Sequence, residues 1–385
     1  MTSSFYPLTR SSWGQEEKAA IDRVISSGNF TMGKEVEAFE QEFANYHDKR
    51  YGIMVNSGSS ANLIAVASLF YKKDNPLQQG DEAIVPAIAW GTTYHPLHQY
   101  NMKIRLIDVA LETLNLDILQ LNKALSPQTR LLVAVNILGN PSELHLLQKF
   151  ANDHNLYLLE DNCESLGAEL NGRKTGTFGD LSTFSFFYSH QISTGEGGMI
   201  LTDNYELADL ARSLRAHGWH RDTKPKSVSG LYHFVLPGYN VRPLELVAAI
   251  GREQLKKLPN MTKTRRANLS LFRSLFKNDK RLIIPIEGYG LSSSFGFPII
   301  APPSMGVTRK GIFFALAAEE IEYRMITGGN ILRHYVSKYY KISAVNNLPH
   351  ANFIHNHGFF VGNYPTNLTL QITRLREVLD QIYKF

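Results

Sequence analysis

Apolar positions along this chain alternate between two rhythms. Runs of strand length recur at residues 51–55, 82–86, 103–108, 129–135 and 156–160. Between and before them, apolar residues spaced three or four apart predict helices over 15–26, 35–46, 59–72 and 143–154, with another opening at Gly91. Strand–helix alternation kept up this long predicts an α/β fold: a mostly parallel sheet covered by helices on both faces. From Gly251 the character changes. A helical stretch rich in Lys and Arg (252–276) leads to a strand-like run at 295–300 and helices near 310–320 and 366–382. The pattern divides the chain into a large domain at 1–250, including an N-terminal segment, and a smaller C-terminal α+β domain at 251–385.

Composition narrows the class. The 385 residues suffice for two such units, and 43% hydrophobic with 19% charged residues describes an ordinary globular chain. No apolar run approaches the ~20 residues that span a bilayer, and no basic stretch followed by an apolar one opens the sequence, so a cytoplasmic enzyme is expected. The net charge of +5 is spread over Lys256-Lys257, Lys263 with Arg265 and Arg266, and Lys224 with Lys226. Scattered in this way, the clusters read as solvated helix faces and not as a nucleic-acid surface, although the balance suits a phosphorylated small substrate. Cys163 is the only cysteine, which rules out an intrachain disulfide and any cysteine cluster holding zinc or iron–sulfur; no metal site is expected.

Four segments place chemistry where strands end, the side on which open α/β sheets bind ligands. Ser57-Gly58-Ser59-Ser60 precedes a helix: small residues allow close approach and the helix N-terminus favours an anion, while an N-cap alone explains the same letters. Trp90, just past a strand, is either core filler or a flat platform for an aromatic ring. Glu160-Asp161-Asn162-Cys163-Glu164 closes a buried strand with acids that need compensation. A protonated ring nitrogen would provide it for Asp161; capping a helix is the alternative. Finally, the aromatic run through Ser185 to Ser189-His190 meets the glycine-rich turn Gly195-Glu196-Gly197-Gly198.

In this order and spacing the four segments resemble the sugar aminotransferases of the DegT/StrS family, over most of the chain from Phe30-Thr-Met-Gly33 to Gly358–Gly362. The resemblance implies the aspartate-aminotransferase fold (fold type I), a homodimer, and pyridoxal 5′-phosphate as cofactor. It implies that Gly58, Ser59 and Ser185 hold the phosphate, Trp90 stacks on the pyridine ring, and Asp161 pairs with its nitrogen. Glu164 stands where the family usually has a ring-flanking Gln, and Asn240 matches a residue that reaches the neighbouring subunit's phosphate. His217 falls in a matching active-site segment, with a role in holding sugar, in proton transfer or in structure. Arg242 offers a planar fork suited to a glutamate carboxylate or a diphosphate, and Arg324 is a second candidate of that kind.

One departure carries the functional reading. The family ends its aromatic run with Ser or Thr followed by the lysine that anchors the cofactor; here the pair is Ser189-His190, and no lysine occurs between Lys174 and Lys224. Histidine cannot anchor the cofactor covalently, but it moves protons. The change resembles the sugar 3-dehydratase branch of the family. It implies cofactor cycling to pyridoxamine 5′-phosphate with L-glutamate, loss of the C3 hydroxyl from a GDP-linked 4-keto-6-deoxy sugar (GDP-4-keto-6-deoxy-D-mannose, as in colitose and O-antigen synthesis), and His190 as acid/base. Another His-bearing branch needs a cysteine-held iron–sulfur cluster and a reductase partner, which one cysteine cannot serve. Alternatives are dehydration of another nucleotide-linked 4-ketosugar, or a noncatalytic cofactor-binding relative.

Overall fold

A computed structural model of the chain describes residues 4–219, 233–303 and 306–383; Lys224 and Lys226 lie outside the described residues. α1 (Gln15–Ser27) and α2 (Lys34–Tyr46) precede β1 (Tyr51–Val55), α3 (Gly58–Phe70), β2 (Glu82–Pro86), α4 (Gly91–Gln99) and β3 (Lys103–Ile107). A short α5 (Leu121–Ala124) is followed by β4 (Thr129–Val135), α6 (Leu144–Asp153) and β5 (Tyr157–Asp161). Two-residue strands β6 (Glu169–Leu170) and β7 (Arg173–Lys174) lead to β8 (Leu181–Ser185), β9 (Gly198–Thr202), α7 (Tyr205–Arg215) and the long α8 (Glu245–Phe276). Then come β10 (Gly290–Leu291), β11 (Gly296–Ile300), α9 (Arg309–Ala318) and β12 (Tyr323–Arg324). β13 (Ile342–Ala344), α10 (Pro349–His357), β14 (Gly358–Gly362) and α11 (Thr369–Ile382) complete the order.

Eight strands make one sheet in the order β1-β9-β8-β5-β4-β2-β3-β13. Every neighbouring pair is parallel except the two formed by β9. Alternate side chains of these strands fill different cores. Ile53, Val85 and Val133 pack on one face, Ile84, Leu132 and Ala134 on the other, and Met54, Phe184 and Met199 join α2 and α8. Burial on both faces is why the strands read as continuous apolar runs. This is the mostly parallel α/β sheet expected from the sequence rhythm.

A second, antiparallel sheet, β11-β14-β12, builds a separate core from Phe272, Phe297, Phe359 and Leu375. Residue 250, where composition changes, lies inside α8, a single helix of 32 residues and about 48 Å. Tyr6 packs in the smaller core and donates its hydroxyl to the Gly362 carbonyl at 2.7 Å. β13 returns to pair with β3 at the edge of the large sheet. The chain therefore crosses between the layers more than once, because packing follows the face each element must bury and not the local composition. No helix among the described residues is long and apolar enough to cross a membrane.

The basic run on α8 is not uniformly solvated as its composition implied. Arg266 donates to the carbonyls of Ser292 and Gly167, and Arg265 is buried. The same helix also stabilises α2. That helix starts at Gly33 without a side-chain cap, and the buried Glu245 carboxylate accepts from the amides of Gly33, Glu35 and Val36 at 2.8–2.9 Å. Glu245→Ala leaves those amides unpaired, and chemical denaturation should show a loss of about 3 kcal/mol.

Candidate active site

The carboxyl ends of β1, β2, β4, β5 and β8 point to one side of the sheet, and a cavity of about 320 Å³ opens there. Gly58 and Ser59 at the start of α3, Trp90 before α4, and Asp161 and Ser185 at the ends of β5 and β8 all line it. So do Glu164, His190 and Arg324. His217, Asn240 and Arg242 are not on its wall in the single chain. Arg242 donates from Nε to Asn240 Oδ1 at 3.0 Å, and His217, in the left-handed region at φ 65°, donates its amide to the Tyr239 carbonyl at 2.6 Å.

At the entry to α3 both readings of the serine–glycine segment are realised by different residues. Ser57 is an ordinary cap whose Oγ accepts from the Ser60 amide at 3.0 Å. Gly58 meets a packing demand: a β-carbon there would lie 2.6 Å from Cβ of Ser185 and 2.9 Å from Sγ of Cys163. The first turn of α3 can thus sit directly against β8, its free amides at the cavity. Trp90 is 59% exposed on the cavity wall, so it is no core filler.

The two acids ending β5 separate by face. Glu160 points away from the cavity and accepts from the amides of Gly176, Phe178 and Gly179 at 2.5–2.7 Å, tying down the loop before β8. Asp161 faces the cavity. Its Oδ2 accepts from Asn62 Nδ2 at 2.9 Å and Thr93 Oγ1 at 2.8 Å, and its Oδ1 from the Cys163 amide at 3.1 Å. No helix follows it, so it caps none. Asn62 and Thr93 were not singled out from the sequence. The signal was present for Asn62, the single side-chain amide in the otherwise small and apolar α3.

His190 stands on the cavity wall between the ring edges of Phe187 and Phe295, at centroid distances of 5.8 and 5.1 Å. Its Nδ1 is buried without a hydrogen-bond partner. Burial, assisted by the Arg265 charge, pushes the imidazole down to about 3. No lysine among the described residues lines the cavity.

Glu164 lies on the same wall with one oxygen engaged. Its Oε2 accepts from the Leu138 amide at 2.8 Å and from the Thr327 hydroxyl at 3.5 Å. Both donors belong to residues in the left-handed region, Leu138 at φ 49° and Thr327 at φ 42°, a strain that non-glycine residues hold only under a strong local demand. Burial pushes this carboxyl up to about 7, against the pull of the Leu138 amide and with help from the Asp161 charge.

The donor set fits a phosphorylated pyridine cofactor. Free amides open α3 toward an anion, Trp90 offers a plane, and Asp161, held by three donors, faces where a ring nitrogen would need an anionic partner. The comparisons agree. The model of the DegT/DnrJ/EryC1/StrS aminotransferase family matches residues 11–380. The chain belongs to this family. A GDP-4-keto-6-deoxy-D-mannose 3-dehydratase of Yersinia pseudotuberculosis is 43% identical over 387 residues, covering 98% of each chain. A GDP-4-keto-6-deoxymannose-3-dehydratase with a trapped PLP–glutamate geminal diamine superposes with a TM-score of 0.94 at 43% identity, over 97% of this chain and 100% of that one. A histidine-to-asparagine mutant of such an enzyme with bound GDP-perosamine gives the same TM-score, identity and coverage.

This family member carries a titration that stability should report. An unfolded glutamate titrates near 4.3 and the folded Glu164 near 7, so the folded state favours the protonated form. That contribution is complete below about pH 4.3 and is lost as pH rises through 7. Glu164→Gln should therefore match the parent in denaturation of cofactor-free protein at pH 4 and exceed it at pH 8, by up to roughly 3 kcal/mol.

Proposed function

We propose that this chain is a pyridoxal phosphate-dependent sugar 3-dehydratase that removes the C3 hydroxyl of GDP-4-keto-6-deoxy-D-mannose. The observation that carries the reading is His190, on the wall of a cavity that fits the cofactor, where the family's aminotransferases have their anchoring lysine. The likeness to two dehydratase structures, one holding glutamate on the cofactor and one a GDP-linked sugar, supports the same reading.

When bound, the cofactor supplies an electron sink and, in its amino form, the nitrogen that engages the C4 ketone. The residues of this chain do the rest. Gly58, Ser59 and Ser185 would hold the phosphate, Trp90 would stack on the ring, and Asp161 would keep the ring nitrogen protonated. Asn62 and Thr93 fix the Asp161 carboxylate in the orientation that this requires. His190, neutral in its apolar slot, accepts a proton from carbon and returns one to the departing C3 hydroxyl, which leaves as water. Arg324, exposed on the cavity wall without an ion-pair partner among the described residues, offers a cation to glutamate or the diphosphate. Over the cycle glutamate is oxidised to 2-oxoglutarate, ammonia is released and the sugar loses one oxygen; no iron–sulfur reductase is required. In a homodimer, the segment bearing Asn240 and Arg242 would serve the partner's cavity, with His217 beside it.

The test is turnover of the purified protein with pyridoxal phosphate, L-glutamate and GDP-4-keto-6-deoxymannose, followed by mass spectrometry. A product one oxygen lighter, with 2-oxoglutarate and ammonia in equal amount, is expected, and His190→Asn should lower the rate at least about 100-fold. An amino sugar as product would overturn the dehydratase reading.

A further inference from the structure

Arg265 is 2% exposed and has no carboxylate partner among the described residues. Its guanidinium rests on backbone carbonyls: Nη1 donates to Asn363 and, at 3.5 Å, to Ser294, while Nη2 donates to His190 at 3.4 Å. Nε has no partner. A buried, unpaired cation costs several kcal/mol, and burial alone pushes this guanidinium down to about 10. Arginine stays charged even so. Its buried neighbours on that helix face are Leu258, Met261, Leu269 and Phe272 with the polar Thr262 and Asn268, none of them charged.

The position of that charge is specific. α8 pins the loop after His190 at two points: Gln254 accepts from the Ser193 amide at 3.2 Å, and Arg265 grips the His190 carbonyl itself. Asn363 orients the arginine, donating from Nδ2 to the Arg265 carbonyl at 3.0 Å and to Ser294 Oγ at 2.8 Å. We infer that Arg265 is a positioning residue for His190, fixing its backbone and placing a permanent positive charge beside that residue.

The other groups facing His190 are the edges of Phe187 and Phe295, which are neutral. Asp161, Glu164, Glu196 and Arg324 share its cavity. Three of those four are acids, which would favour an imidazolium. Burial opposes them first and the Arg265 cation adds to it, so the histidine enters each cycle able to accept a proton. Once it has done so, the same charge makes it a readier donor to a leaving hydroxyl. The inference rests on His190 as the acid/base group proposed above.

Its test is separable from turnover. Protein labelled with ¹³C in its histidines, with His190→Asn to assign the resonance, is titrated by NMR as parent, Arg265→Gln and Arg265→Lys. The His190 signal of the parent should stay neutral to the acid limit of folding, rise by at least about one pH unit in Arg265→Gln, and return toward the parent in Arg265→Lys. The acid limb of kcat/KM should move to higher pH in Arg265→Gln alone. An ordinary histidine titration in the parent would overturn the inference even if no variant folds. A uniform loss of kcat with an unmoved limb would overturn it too, leaving Arg265 a purely structural role. Absence of dehydration with a shifted His190 signal would count against the proposed function and leave the arginine's effect standing.

Discussion

Asp161 and Glu164 lie three residues apart on the wall of one buried cavity, and two anions there repel each other with little water to screen them. The structure resolves the conflict by unequal support. Asp161 receives three hydrogen bonds, two of them from side chains on α3 and α4; one of these, Asn62, is itself held by the Thr183 hydroxyl at 2.6 Å. Glu164 receives one good amide and one long hydroxyl contact, both from strained backbone. β5 against α3 and α4 supplies the donors of the first acid, and the left-handed turns at Leu138 and Thr327 supply those of the second, whose carboxyl burial pushes up to about 7.

The same economy governs the histidine. A lysine in that slot would need an anion or a covalent partner to be tolerated among Phe187, Phe295 and the buried Arg265. Histidine, neutral by default, needs neither. On the proposed reading, a histidine in place of an anchoring lysine does more than remove a bond to the cofactor: it makes a slot beside a buried positive charge electrostatically acceptable.

Much of this was legible in the sequence because it depends on period and on residue type. The parallel sheet announced itself through short apolar runs, with β1, β2 and β4 recovered to the residue and α1 and α2 within one. Gly58, Ser59, Trp90, Asp161, Glu164, Ser185, His190 and Arg324 do come together around one cavity. What escaped was everything set by long-range packing. Arg265 sits in a run of cations that looks solvated, and only the position of α8 between sheet and smaller core reveals that one of them faces inward. β13, three residues long, carries too little pattern to be read, yet it closes the edge of the large sheet. Pro259, ordinarily a helix breaker, sits inside α8, where tertiary contacts along both cores outweigh its local cost.

The crossing of the chain between its layers has a consequence for how the molecule is made. Tyr6 is held by Gly362 and pairs beside Ile321, so the first described residues find their places only after nearly the whole chain has left the ribosome. The large sheet, with Asp161 on β5 and His190 in the loop between β8 and β9, is complete in sequence, apart from β13, by Thr202, but Phe295, Arg324 and Thr327 reach the cavity from the last quarter of the chain. Through much of synthesis a nascent protein thus bears an open half-site with an unpartnered apolar rim, the condition in which long chains aggregate or meet chaperones. Closing those loops, from 105 residues between His190 and Phe295 to 356 between Tyr6 and Gly362, is entropically costly and slow. It is also the step that brings Phe295 against His190, so the cavity wall is complete only once the smaller layer has docked.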